Sequence, residues 1–129
     1  MRYVEIVLLL AVLQFLLFCV AVGRARATFK VEAPATTGNE IFERYFRVQM
    51  NTLELLVVFL PSLWLFALHI SPYWAAGLGA VYLVGRILYF RAYTSDPKTR
   101  GLGYGLSAGP TLALLIGALV GVLLQWLRS

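Results

Sequence analysis

Apolar residues fill four long stretches of the chain, which short polar segments separate. The stretches cover about residues 4–22, 50–70, 72–93 and 106–127. Because a bilayer core about 30 Å thick needs roughly 20 apolar residues in a helix, each stretch is long enough to cross a membrane. The polar segment 39–49 directly precedes the second stretch and can continue that helix into water. The pattern predicts an all-α membrane protein, a four-transmembrane-helix bundle in a single domain, residues 1–129.

Serine and proline indicate how the spans begin and bend. Ser71 followed by Pro72 has the composition of an N-cap and a first helical residue. Spans two and three are therefore predicted to form a tight hairpin. Pro61 and Pro110 lie within spans, where neighbouring groups of a bundle can bond the freed carbonyls, so they predict kinks and not helix ends.

Glycines near the fourth span fall into two groups. Gly117 and Gly121 have the small-xxx-small spacing that lets membrane helices approach closely. Gly101, Gly103 and Gly105 precede the span. No strand comes before them, as a dinucleotide-binding fold would require, so we predict a loop there.

Composition narrows the class of protein. Hydrophobic residues make up 60% of the positions and charged residues only 13%, so the bilayer must be the main solvent. Lysine and arginine total 11 against 6 acidic residues, which favours anionic ligands or anionic lipid. Nucleic acid is a poor partner, because so apolar a chain offers no basic face in water. The single cysteine, Cys19, excludes an intrachain disulfide and a cysteine metal cluster, and no metal site is expected.

The basic residues also predict the topology. Nine of the 11 lie in or beside the segments that join spans one to two and three to four: Arg24, Arg26, Lys30, Arg44, Arg47, Arg86, Arg91, Lys98 and Arg100. Only Arg2 and Arg128 lie on the other side. By the positive-inside rule we expect loops 23–40 and 94–105 to be cytoplasmic and both termini to be non-cytoplasmic. Arg2 before an apolar run also resembles a secretory signal, but three later spans exclude a soluble mature product.

The second helix carries a polar stripe at membrane depth. Arg47, Asn51 and Glu54 fall at i, i+4 and i+7 and share one face, which Arg44 extends by a turn. Ionisable side chains at this depth cost a few kcal/mol, so they usually face the bundle interior and have a function. The stripe is not the pattern of a helix that faces lipid.

A second polar stripe runs along the third span. Tyr82, Arg86, Tyr89 and Tyr93 fall at i, i+4, i+7 and i+11 of one helix face. One interpretation is structural: Arg86 pairs with Glu54 across the bundle, and the tyrosines anchor the helix at the interface. The other is a ligand site, because the arginines outnumber the one carboxylate. A ligand with several anionic groups and one cationic group would balance these charges.

Glutathione has this charge pattern, with two carboxylates, one ammonium group and a thiol. Arginine forks bind carboxylates at two points, and a buried glutamate matches an ammonium group. Amide and tyrosine groups can pair with its peptide bonds. Other zwitterionic peptides would fit the same logic.

Two motifs carry a resemblance to a known family. Residues 42–54 read FERYFRVQMNTLE, which resembles the FERxxRxQxNxxE signature of the membrane-associated proteins in eicosanoid and glutathione metabolism (MAPEG). Residues 85–93 read GRILYFRAY and look like the RxxYxxxY element of the family's third helix. Pro34 and the segment 36–38 match its first cytoplasmic loop, and the similarity covers essentially the whole chain.

The resemblance implies a homotrimer that binds glutathione in a U-shape between neighbouring subunits, near the cytoplasmic surface. Carried over by position, the residues in contact with or close to glutathione are Arg26, Arg47, Gln49, Asn51, Glu54, Tyr89, Tyr93 and Arg100. Arg100 matches an arginine near the glutathione sulfur and would stabilise the thiolate. It is the first catalytic candidate, and Tyr93 is the next.

Two departures from the family bear on the activity. Its leukotriene-forming members have a second arginine directly after the position of Arg26 and a tyrosine directly after that of Glu54, where this chain has Ala27 and Leu55. The resemblance therefore implies a microsomal glutathione transferase-like enzyme of detoxification. It would act on lipophilic electrophiles or, as a peroxidase, on hydroperoxides. The short chain is most similar to bacterial members, which implies the bacterial inner membrane.

Two other classes of function compete with this interpretation. A non-catalytic lipid- or glutathione-binding protein of the same fold is the first. The argument against it is the joint presence of Arg47, Asn51, Glu54, Tyr93 and Arg100. A small four-helix drug exporter is the second. It would need its lone carboxylate in the first helix with few basic neighbours, whereas Glu54 lies in the second helix close to arginines.

Overall fold

A computed structural model describes all of residues 1–129 and consists of four long α-helices. They are α1 (Arg2–Phe29), α2 (Glu40–His69), α3 (Pro72–Ser95) and α4 (Gly101–Arg128), with a 3₁₀ turn at Pro97–Thr99. Each helix is long and apolar enough to cross a membrane. The predicted all-α architecture with four spans is confirmed.

The helices form a bundle in which α2 and α3 are central, because α1 and α4 each contact both of them. At its core the rings of Phe59 and Tyr82 stack with their centroids 3.8 Å apart. Leu63 and Leu114 are completely buried beside them. Many large apolar side chains of α1 and α4 instead point outward, as Leu9 does at 65% exposed. Such a surface is suited to contact with lipid and not with water.

Polar side chains cap the helices close to the predicted ends. Asn39 Oδ1 accepts the backbone N–H of Phe42 at 2.9 Å, so the polar segment before the second span is indeed part of α2. Ser71 Oγ accepts the backbone N–H of Trp74 at 3.3 Å, which confirms the N-cap and the tight hairpin between α2 and α3. Both Pro61 and Pro110 lie inside continuous helices.

The prediction of a loop at Gly101, Gly103 and Gly105 is wrong, because α4 begins at Gly101 and all three residues are helical. Packing overrides the low helix propensity of glycine here. A Cβ atom at Gly103 would collide with the backbone nitrogen of Tyr89 and lie 2.6 Å from its Cα. Only glycine therefore allows α4 to lie directly against the backbone of α3 at this end of the bundle.

Gly117 and Gly121 make the close approach that their spacing predicts, and their neighbour is α2. A Cβ atom at Gly117 would lie 2.7 Å from Cδ2 of Phe66, and one at Gly121 would lie 2.7 Å from Cδ1 of Ile70. α4 therefore contacts α3 through glycine at its start and α2 through glycine towards its end.

Candidate functional site

The polar face of α2 lies on the outside of the helix bundle. Arg47 and Glu54, two turns apart on this helix, form an ion pair with 3.9 Å between Nη2 and Oε1. Their side chains are 53% and 60% exposed, although Glu54 lies within the stretch predicted to cross the membrane. Lipid is a poor environment for an ion pair. This face therefore needs a polar partner, either a ligand or another chain.

Arg86 of α3 is completely buried and joins three helices. Its Nη1 donates hydrogen bonds to Asn51 Oδ1 at 2.8 Å and to Thr52 Oγ1 at 3.2 Å. Its Nη2 donates to Ser107 Oγ at 2.7 Å. The guanidinium carbon also lies 4.3 Å from the ring centroid of Tyr89. Neutral groups of α2 and α4 and an aromatic face thus surround this charge.

The ion pair between Arg86 and Glu54 that the structural interpretation requires is not formed. Glu54 pairs with Arg47, and Arg86 reaches Asn51 instead. The side chains of two residues three positions apart in an α-helix, such as Asn51 and Glu54, differ by about 60° in direction. Asn51 therefore borders the interior while Glu54 points outward.

An aromatic row leads from Arg86 to Arg100 at the loop end of the bundle. The ring centroids of Tyr89 and Tyr93 lie 5.5 Å apart, and the guanidinium carbon of Arg100 lies 5.8 Å from the ring centroid of Tyr93. Arg100 Nη1 donates to the carbonyl of Pro97 at 2.8 Å, which holds the side chain against the 3₁₀ turn. The turn thus carries Arg100 back over Tyr93.

A polar cleft of about 410 Å³ connects the two stripes, because both Arg47 and Tyr93 line it. The charged side chains around it come from the first turns of α2. Arg44 braces one wall by donating to the carbonyl of Ser95 at 3.1 Å and pairing with Glu40 at 3.3 Å. Six of the eight predicted site residues thus meet on one side of the bundle: Arg47, Asn51, Glu54, Tyr89, Tyr93 and Arg100.

The other two predicted site residues, Arg26 and Gln49, have separate surroundings. Arg26 Nη1 donates to the carbonyl of Ala35 at 2.8 Å, and its guanidinium lies over the ring of Phe42 at 4.9 Å. It therefore holds the loop between α1 and α2. Gln49 Nε2 donates to Cys19 Sγ at 3.2 Å. It faces α1 because it lies two residues from Arg47, about 200° around the helix.

Tyr104 is a neighbour of the site that the sequence pattern did not single out. Its ring centroid lies 6.1 Å from that of Tyr89, and the side chain is 44% exposed. Tyr104 follows Arg100 by four residues, so the two share a helix face only because α4 begins at Gly101. The predicted loop at this position gave no reason to expect Tyr104 near the site.

The charges that meet here are unequal. Arg47, Arg86 and Arg100 provide three guanidinium groups against the carboxylate of Glu54, and the cleft wall adds Arg44 with Glu40 and Glu43, so the cations exceed the carboxylates by one. Both salt bridges of the chain lie on α2, and neither includes Arg86 or Arg100. The arrangement is suited to a ligand that carries more than one negative group and one positive group.

Comparison with known proteins gives consistent matches along the chain. The model of the MAPEG family matches residues 4–120. An uncharacterized protein of Synechocystis is 51% identical over 116 residues, which cover 90% of this chain and 85% of that protein. Human microsomal glutathione S-transferase 2 is 43% identical over 79% of this chain and 70% of its own length. Guinea pig leukotriene C4 synthase is 37% identical over 95% of this chain and 82% of its own.

Proposed function

The chain belongs to the MAPEG family, and from this premise we propose that it is a membrane-bound glutathione transferase. The enzyme binds glutathione, stabilises its thiolate and joins the sulfur to lipophilic electrophiles. The relatives named as a microsomal glutathione S-transferase and a leukotriene C4 synthase support a glutathione-dependent membrane enzyme. Lipid hydroperoxides are a second substrate class, reduced at the expense of glutathione.

One observation carries this proposal: the exposed Arg47–Glu54 pair lies beside an amide, two tyrosines and Arg100, and the buried guanidinium of Arg86 lies behind them. In the proposed complex Arg47 binds a carboxylate of glutathione and Glu54 binds its ammonium group. Asn51, Tyr89 and Tyr93 pair with the peptide groups. Arg100 lies nearest the loops and faces the thiol.

An apolar groove supports the lipophilic nature of the second substrate. It has a volume of about 430 Å³ and runs between α2 and α4. Its α2 wall includes Val57, Val58 and Pro61, which follow Glu54 by three to seven residues and continue the same side of the helix. Such a groove can hold an apolar molecule dissolved in the bilayer, one turn beyond the polar face.

The direct test is conjugation by the detergent-purified protein. With 1-chloro-2,4-dinitrobenzene, the thiolate sulfur forms a carbon–sulfur bond at the ring carbon, chloride leaves, and the thiol proton passes to solvent. We expect turnover that saturates with glutathione. Glutathione binding without turnover of this substrate or of a lipid hydroperoxide would favour the non-catalytic binding protein of the same fold.

The Glu54→Gln variant is predicted to bind glutathione at least tenfold more weakly while folding normally. The neutral amide retains the shape but loses the charge that matches the ammonium group, and a hydrogen bond to a charged group contributes about 1.5–3 kcal/mol. Isothermal calorimetry in detergent measures the effect, and Glu5→Gln, with its carboxylate in the first turn of α1 at the other end of the bundle, serves as the control. Equal affinities for Glu54→Gln and wild type would leave Glu54 as a partner of Arg47 alone.

We further propose that the enzyme is a homotrimer with glutathione bound between subunits. The exposed Arg47–Glu54 pair supports this, because it would otherwise face lipid. So do Arg26 and Gln49, which lie away from the other site residues of their own chain and would serve the site of a neighbour in the proposed trimer. Light scattering with correction for detergent is expected to give three copies of the 14.4 kDa chain. A monomer with full activity would contradict the proposal.

The proposed setting is the bacterial inner membrane, with segments 23–40 and 94–105, which comprise two loops and the adjoining helix ends, at the cytoplasmic side and both termini outside. The basic residues of both loops support this orientation. In a Cys19→Ala background, cysteines at Thr36 and Thr99 should resist an impermeant maleimide added to intact cells. A cysteine at Tyr73, which is 74% exposed at the other end of the bundle, should react. The reverse labelling pattern would invert the topology.

A further inference from the structure

The hydrogen bond between Arg86 and Asn51 determines which end of the Asn51 amide faces outward. A guanidinium group only donates hydrogen bonds, so the amide group that faces it must be the carbonyl oxygen, Oδ1. Arg86 Nη1 lies 2.8 Å from that oxygen. The amide nitrogen of Asn51, which carries two N–H donors, is therefore left for the polar face that Asn51 shares with Arg47 and Glu54.

Arg86 is itself held from several directions, so it is a rigid anchor for this amide. Thr52 Oγ1 and Ser107 Oγ accept from its two terminal nitrogens, and the ring of Tyr89 covers its face at 4.3 Å. The side chain is completely buried. A planar fork with several N–H groups can reach acceptors on two helices at once, which a single ammonium group cannot do in the same geometry.

The uncompensated positive charge of Arg86 also polarises the side-chain amide of Asn51. No carboxylate pairs with it. In surroundings of low dielectric constant, a cation at the oxygen end of an amide strengthens the donors at its nitrogen end. The positive charge thus acts on the polar face through Asn51, although Arg86 does not itself reach that face.

We propose that Arg86 is a positioning residue of the glutathione site: it holds the Asn51 carboxamide so that its NH₂ group donates to an acceptor oxygen of glutathione. The proposal rests on the proposed function. It adds the direction of the hydrogen bond: Asn51 donates, so the oxygen that accepts must belong to a carboxylate or a peptide carbonyl of glutathione. The same guanidinium also packs against the ring of Tyr89.

The Asn51→Asp variant tests whether residue 51 must donate the hydrogen bond to glutathione. The carboxylate is expected to pair with Arg86 and to present a second oxygen where the wild type presents N–H donors. We expect an unchanged or higher melting temperature together with at least a 30-fold loss of glutathione affinity by calorimetry. Wild-type affinity in this variant would overturn the proposal.

A double-mutant cycle tests whether Arg86 acts through Asn51. Arg86→Met should weaken glutathione binding about tenfold in the wild-type background and cause no further loss in Asn51→Ala. A role that is only structural, or direct contact with glutathione, would give additive losses and overturn the proposal. If Arg86→Met does not fold, Arg86→Lys replaces it, with a smaller loss and the same lack of additivity.

Ser107→Ala is the matched control, since it removes the α4 partner of Arg86 and leaves the bond to Asn51. It should lower the melting temperature without changing glutathione affinity. Wild-type protein that fails to bind glutathione would instead refute the proposed function, so the two failures are distinguishable. Binding by the wild type with equal affinity in Asn51→Asp would refute the positioning role alone.

Discussion

Replacing Gly103 with alanine is expected to destabilise the bundle by about 3 kcal/mol, a large effect for one added methyl group. The new Cβ would collide with the backbone nitrogen of Tyr89 and lie 2.9 Å from the carbonyl carbon of Leu88. Backbone atoms cannot rotate away as a side chain can, so α4 would have to move off α3. Because Tyr89 belongs to the candidate site, activity should fall as well.

Gly105→Ala provides the control for this prediction. Both residues lie in the first two turns of α4, but a Cβ at Gly105 would meet nothing within 4 Å. Alanine should therefore stabilise the helix there by up to about 1 kcal/mol. Thermal unfolding in detergent, followed by circular dichroism, should give shifts of opposite sign. Equal shifts would show that the contact between α3 and α4 is not made as described.

The Arg100→Ala variant is expected to lose at least tenfold in kcat at pH 7 with little change in glutathione affinity. A free thiol has a pKa of about 8.5, so only a few per cent is thiolate at neutral pH. A decrease of roughly two units makes the thiolate the major species and requires about 2.7 kcal/mol of differential stabilisation. Arg100 lies over Tyr93 and directly before the first turn of α4. A guanidinium and a helix N-terminus both favour an anion.

Ultraviolet difference titration of the bound thiol measures the step itself. In the wild type the thiolate absorbance should rise well below pH 8.5, and in Arg100→Ala the curve should return towards that value. Lys98→Ala, which removes a neighbouring exposed cation of the same turn, should leave the curve unchanged. If Arg100→Ala titrates as the wild type does, Tyr93 becomes the candidate for thiolate stabilisation.

The sequence pattern predicted the spans because lipid imposes a simple requirement, about 20 apolar residues for each helix. The hairpin at Ser71 could be predicted equally well, since an N-cap followed by a proline leaves few alternatives. The start of α4 could not be predicted in this way. Gly101 to Gly105 has low helix propensity, and only the contact of Gly103 with the backbone of α3 makes the helical form favourable. The helix propensity of individual residues carries no information on a contact with another helix.

The candidate site was predictable to a similar extent. Helical spacing correctly placed Arg47, Asn51 and Glu54 on neighbouring positions of one helix surface. Spacing alone did not reveal that Arg86 would bond to Asn51 and not to Glu54, because this depends on how α2 and α3 are rotated about their axes. It also could not place Arg26 and Gln49, which lie apart from the other predicted site residues in the folded chain.

During synthesis, α3 reaches the membrane while Arg86 still lacks its partner on α4, because Ser107 belongs to the last helix to be made. An arginine at the centre of an inserting helix costs about 2.5–3.5 kcal/mol. Arg86 lies nine residues before the end of α3, where the cost is smaller, but α3 is also the least apolar of the four spans. Asn51 and Thr52 have been made by then, and the short connection at Ser71 keeps α2 beside α3. We therefore expect the translocation machinery to release α2 and α3 into the bilayer as a pair, with α4 joining them afterwards.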